Sequence, residues 1–115
     1  MRTLVLAPAI AGRERILLQK VKHVVTRIVP GARVMLYGSA ARGEQHPDSD
    51  FDLLILTEAP LGEEDNRALQ DSLYELELAH GVVLSTVQYT TQEWDSPLNE
   101  AMPFHQRVAE DAVLL

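Results

Sequence analysis

A chain of 115 residues, 46% hydrophobic and 23% charged, has room for one small globular domain spanning 1–115, with little buried surface to spare. Its 10 Lys and Arg against 17 Asp and Glu leave a formal net charge of −7. That argues against extended nucleic-acid contacts, and so against a template-dependent polymerase, because such contacts need clustered basic side chains. The chain has no cysteines, which excludes disulfides and thiolate metal sites. The apolar run from Leu4 to Ile10 is short and broken by Pro8, so neither a membrane span nor a signal peptide is expected, and a cytoplasmic location is the default.

Residues 1–11 show no periodicity and read as a frayed start or a short extended piece. From Gly12 to Val29, Leu17, Val21, Val24, Val25 and Ile28 recur at helical spacing, with Arg13, Lys20, Lys22, His23 and Arg27 on the other face. Pro30-Gly31 ends that helix. Arg33 to Tyr37 reads as a strand running into Gly38-Ser39, and residues 40–49 as a polar loop with one helical turn near Ser39 to Arg42. Phe51 to Leu56 is a nearly continuous apolar run, as in a strand covered on both faces. Glu63 to His80 is a second helix, with Leu69, Leu73 and Leu76 inward, acids in its first turn and Gly81 as a left-handed cap. Val82 to Thr90 reads as a third strand. Ser96-Pro97 starts a last helix, Pro103 kinks or restarts it, and a short tail, Val113 to Leu115, follows. The order implies an α/β (α+β) domain, a small mixed β-sheet covered mainly on one face by helices.

The chemistry is concentrated in LYGSAARGEQHPDSDFDLLIL, Leu36 to Leu56. Alternation along a strand puts Asp50 and Asp52 on one face and Phe51 and Leu53 on the other. Adjacent carboxylates repel unless one is protonated or a cation lies between them. Mg²⁺, with Mn²⁺ as a substitute, is commonly held by one or two carboxylates together with substrate phosphates. Gly38-Ser39 is suited to those phosphates, since glycine admits a ligand close to the backbone and turn N–H groups bind anions. Each residue also has a plainer reading: a tight turn with a capping serine for Gly38-Ser39, solvated acids for the aspartates. Arg42 suits a salt bridge and a phosphate contact equally. Ser49 reads as orienting the loop, Asp48 as a turn residue and His46 as a solvated loop side chain. Trp94 reads as packing, and His23, His80 and His105 carry no assigned role.

Gly38, Ser39, Ala41, Arg42 and Gly43, followed by Ser49, Asp50 and Asp52 before an apolar strand, resemble the signature of the minimal nucleotidyltransferases of the DNA polymerase beta superfamily. The resemblance implies that fold, with a nucleoside triphosphate, ATP being expected, as substrate. It implies Asp50 and Asp52 as catalytic metal ligands, and phosphate contacts from Gly38 and Ser39, with Arg42 as a third candidate. It also implies a third carboxylate on the neighbouring strand. Here that strand is GVVLSTVQYT, and neither Val83 nor Ser85, the positions where it is expected, is acidic. Glu75, Glu77 or Glu93 would have to reach in from elsewhere.

Three readings stay open at this point. The first is an enzyme transferring a nucleoside monophosphate to a hydroxyl, including one on a partner protein to which it is the antitoxin. The second is a catalytically reduced, nucleotide-binding member acting as the antitoxin of a toxin–antitoxin pair, since small members of that family are often encoded beside a helical partner protein. The third is a structural subunit. A domain this small leaves the acceptor side open, with room for a homodimer or a heteromer.

Overall fold

Alternation along the strands sorts the chain into two packed layers on either side of one sheet. The structure, a computed structural model, describes residues 2–4, 12–43 and 50–115. The expected contributions of His46, Asp48 and Ser49 therefore lie outside the described residues.

The elements are β1 (Arg2–Thr3), α1 (Gly12–Ile28), β2 (Arg33–Tyr37), α2 (Gly38–Ala41), β3 (Asp50–Thr57), α3 (Glu63–His80), β4 (Val83–Thr90), α4 (Thr91–Trp94), α5 (Pro97–Glu100), α6 (Pro103–Asp111) and β5 (Val113–Leu114). They form a mixed five-stranded sheet in the order β1-β5-β2-β3-β4. The central pair β2–β3 is antiparallel, and β4 runs parallel to β3 along its outer side.

One face carries Val34, Leu36, Phe51, Leu53, Ile55, Leu84 and Val113 against Leu17, Leu18, Val21 and Val25 of α1 and Leu69 and Leu73 of α3. These are the apolar stripes of the two long helices, and they make this the principal core. The opposite face carries Met35, Leu54 and Leu56 against Trp94, Val108 and Ala112. The short C-terminal helices thus cover only part of it. Within that cover, Trp94 stacks on His105 at 4.2 Å and meets Phe104 edge-on at 6.0 Å. Trp94 is packing, as its sequence position suggested, and His105 is its stacking partner. Leu53, Leu54, Ile55 and Leu56 are each at most 1% exposed, and burying each contributes about 1.5–3 kcal/mol. This anchors β3 and fixes the register of the acidic residues at its mouth.

Local signals account for most boundaries. Gly81 closes α3 at φ 64° and ψ 40°, donating to the Glu77 carbonyl. Ser96 caps α5, with Pro97 in its first turn. A new helix starts at Pro103. Thr90 and Glu93 form a reciprocal capping box that creates the extra turn α4.

The expected tail is corrected. Val113–Leu114 is a strand inside the sheet, pairing parallel with β1 through Arg2↔Val113 and antiparallel with β2 through Leu36↔Val113. Val113 is fully buried. A run this short shows no alternation, so only its partners reveal it as a strand. Val113→Ala is expected to lower stability by about 2 kcal/mol. Urea unfolding reads this directly, and an unchanged midpoint would remove β5 from the cooperative core. Among the described residues no helix is long and apolar enough to cross a membrane.

Candidate active site

The site lies where β2 ends and β3 begins. Antiparallel register sets Tyr37 opposite Asp52, and parallel register sets Asp50 beside Val83 and Asp52 beside Ser85. Asp50, Asp52, Tyr37, Val83 and Ser85 therefore share one sheet face, the one that the long helices leave uncovered. The chain then turns at Gly38, whose φ is +76°, a conformation that side-chain-bearing residues rarely adopt. A Cβ at this position would stand 2.5 Å from Asp52 Oδ2. The glycine thus both makes the turn and lets the carboxylate pack against its backbone. Ser39 follows in the first turn of α2 and is partly exposed. The expected pieces, Gly38, Ser39, Asp50 and Asp52, come together.

The electrostatics agree with the geometry. Burial, with Asp50 second, pushes the Asp52 carboxyl above its ordinary value. Burial also raises the Tyr37 phenol, with further contributions from Asp52 and then Tyr89, so Tyr37 stays a neutral hydroxyl. Among the described residues neither aspartate has a salt-bridge partner. A repelling pair without a protein cation, offering only hard oxygen donors, fits a divalent ion such as Mg²⁺ or Mn²⁺. Among the described residues there is no cluster of three or more carboxylate or imidazole groups suited to a metal.

The third-carboxylate positions are now located. Val83 and Ser85 flank the aspartates on the same face, and both are exposed. Two of the three acids considered as replacements are occupied. Glu77 accepts from the Leu84 N–H at 2.9 Å, and Glu93 accepts from the Thr90 N–H at 2.9 Å. The Thr90 backbone and then its hydroxyl hold Glu93 below the ordinary glutamate value. Glu75 is an exposed residue of α3, the helix that packs on the opposite face of the sheet.

The profile of the nucleotidyltransferase domain family matches residues 18–113. The chain belongs to that family. A Methanocaldococcus jannaschii protein provisionally named a protein adenylyltransferase is 30% identical over 83 residues, 72% of this chain and 76% of that one. A solved structure provisionally described as a minimal nucleotidyltransferase superposes with a TM-score of 0.59 at 27% identity, covering 88% of this chain and 91% of the other. The toxin–antitoxin complex MntA–HpeT matches with a TM-score of 0.57 at 21% identity, over 85% of this chain and 70% of the other. A toxin–antitoxin structure solved with AMP-PNP matches with a TM-score of 0.58 at 20% identity, over 84% and 69%. These last two likenesses concern the fold alone.

This nucleotidyltransferase domain has a further feature beside the glycine turn. A cleft of about 190 Å³ opens between the end of β2 and α6, with Tyr37, Gly38, Phe104 and Arg107 in its walls. Phe104 meets the Tyr37 ring edge-on at 5.5 Å. Arg42 Nη1 donates to Asp111 Oδ2 at 2.7 Å, so the arginine of the motif ties α2 to α6 at the cleft rim. Sequence reasoning passed over Tyr37, although strand alternation alone puts it on the face of Asp52. Arg107 and Asp111 carry no sequence signal, because only the packing of α6 brings them to the turn.

Proposed function

We propose that this domain transfers a nucleoside monophosphate, from ATP as the expected donor, to a hydroxyl on a partner protein. The observation that carries the reading is the Asp50–Asp52 pair on one strand face, with no salt-bridge partner among the described residues and with the backbone of Gly38 packed against Asp52. Asp50 and Asp52 would hold a divalent cation, Mg²⁺ or Mn²⁺, which when bound supplies charge neutralisation and polarisation at the reacting phosphate. Gly38 admits the phosphates close to the backbone, and Ser39 offers its N–H and hydroxyl as donors. Arg42, besides holding α6 through Asp111, adds positive charge at the phosphate end. In the transfer an acceptor oxygen bonds to the α-phosphorus and the bond to the β-phosphate bridging oxygen breaks, releasing pyrophosphate. The acceptor proton passes to water, since no acid stands beside Asp50 and Asp52 on β4. Such transfer depends mainly on positioning and electrostatic stabilisation, so it is slowed rather than abolished by the missing base.

Two observations support a protein partner. The net charge of −7 disfavours nucleic acid, and structural neighbours of this fold are toxin–antitoxin assemblies. A helical partner encoded as a toxin, with this chain as its antitoxin, is the acceptor we favour. The absence of an acid at Val83 and Ser85, with Glu77 and Glu93 engaged elsewhere, favours a second reading. In it the domain binds nucleotide and acts by contact with its partner.

Transfer of labelled ATP to a co-expressed partner separates the two. Label on the partner supports transfer, and stable complex formation without label supports the second reading. Ser85→Asp, which places a carboxylate beside Asp52, is expected to raise transfer by about tenfold or more. An unchanged rate in Ser85→Asp and also in Val83→Asp would show that the missing acid does not limit the reaction.

A further inference from the structure

We infer that Arg107 is a phosphate-binding residue of the nucleotide site, meeting the triphosphate tail from the α6 side of the Gly38 turn. The inference rests on the nucleotidyl-transfer reading above and names a residue that the family motif does not contain. Arg107 and Gly38 line the same cleft of about 190 Å³. One liquid water occupies about 30 Å³, so a hydrated anionic group fits there.

The charge balance points the same way. Asp50 and Asp52 would neutralise a divalent cation bound between them, so the charge of the triphosphate would remain for other groups to meet. Two guanidinium groups and one carboxylate, Asp111, line the cleft, and Asp111 engages Arg42 at 2.7 Å. Arg107 is exposed and has no salt-bridge partner among the described residues. Its backbone is nonetheless anchored: the next residue, Val108, is 1% exposed within the second core cluster, and Phe104 packs on Tyr37. The result is an anchored helix presenting an exposed cationic fork to a cleft whose other wall is the glycine turn. A guanidinium binds phosphate oxygens in pairs, and does so more strongly in a partly apolar cleft than in open water.

Isothermal titration with Mg²⁺–ATP and with Mg²⁺–tripolyphosphate, on wild type, Arg107→Gln and Arg107→Lys, tests this. Arg107→Gln should weaken both ligands by about tenfold or more. Arg107→Lys should recover part of the loss, and the melting temperature should not change, because the side chain is exposed. Equal tripolyphosphate affinity in wild type and Arg107→Gln overturns the inference, even if ATP weakens, since the contact would then be to base or ribose. If Asp52→Asn loses binding and Arg107→Gln does not, the inference alone falls. If wild type binds neither ligand, the nucleotide-site reading fails and takes the inference with it.

Discussion

Asp52→Asn should abolish Mg²⁺-dependent nucleotide binding and transfer while raising the melting temperature of the metal-free protein. The loss follows from the donor set. Asparagine keeps the shape but removes the charge by which this oxygen would hold the proposed cation, and a decrease on the order of a hundredfold or more is expected. The stabilisation follows from the raised carboxyl of Asp52, caused first by burial and then by Asp50. As pH rises, the unfolded chain releases this proton before the folded protein does. Between the two pKa values the folded state binds more protons, so stability falls with rising pH across that window and the penalty is fully present above it. Asparagine has no such penalty, and the wild-type and variant stabilities should converge at low pH. Added Mg²⁺ should then raise the melting temperature of wild type but not of the variant. Unchanged Mg²⁺–ATP affinity would remove the metal assignment. A lower melting temperature for Asp52→Asn at neutral pH would contradict the electrostatic account.

Gly38→Ala should cost more in transfer than in stability. Two effects act together. A residue with a Cβ at φ +76° is strained by about 1–2 kcal/mol. The new methyl also stands 2.5 Å from Asp52 Oδ2, and the atom that must yield is the far end of a rotatable side chain. The clash is therefore relieved by turning the carboxylate away, which would displace the ligand proposed for the metal. Transfer is expected to fall on the order of a hundredfold, since small displacements of reacting groups have effects of this size, while urea unfolding shows a loss of only about 1–2 kcal/mol. Pairing Gly38→Ala with Asp52→Ser, which has a shorter side chain, should restore part of any stability lost to the clash without restoring transfer. Full activity in Gly38→Ala would mean that the turn and Asp52 act separately.

What was legible beforehand had local causes. The stripes Leu17, Val21, Val25 and Leu69, Leu73 marked the faces of two helices, and Pro30-Gly31 and Gly81 marked their ends. The run Phe51 to Leu56 marks the central strand, and the two-residue spacing of Asp50 and Asp52 by itself puts both on one face. The described motif residues sit in the turn after β2 and at the start of β3, strands adjacent along the chain, so one antiparallel pairing brings them together.

Tertiary structure decided whatever depended on distant partners. Val113–Leu114 is too short to show a period, and became a strand only by lying between β1 and β2. Arg42 suited a salt bridge or a phosphate, and it was Asp111 on α6 that gave it an ion pair. Glu77 and Glu93 were candidate substitutes for a missing carboxylate until backbone N–H groups engaged them. Spacing fixes the face a side chain occupies, because backbone geometry repeats over a few residues. Which charge, cleft or strand it meets there depends on packing between segments that sequence separation does not encode.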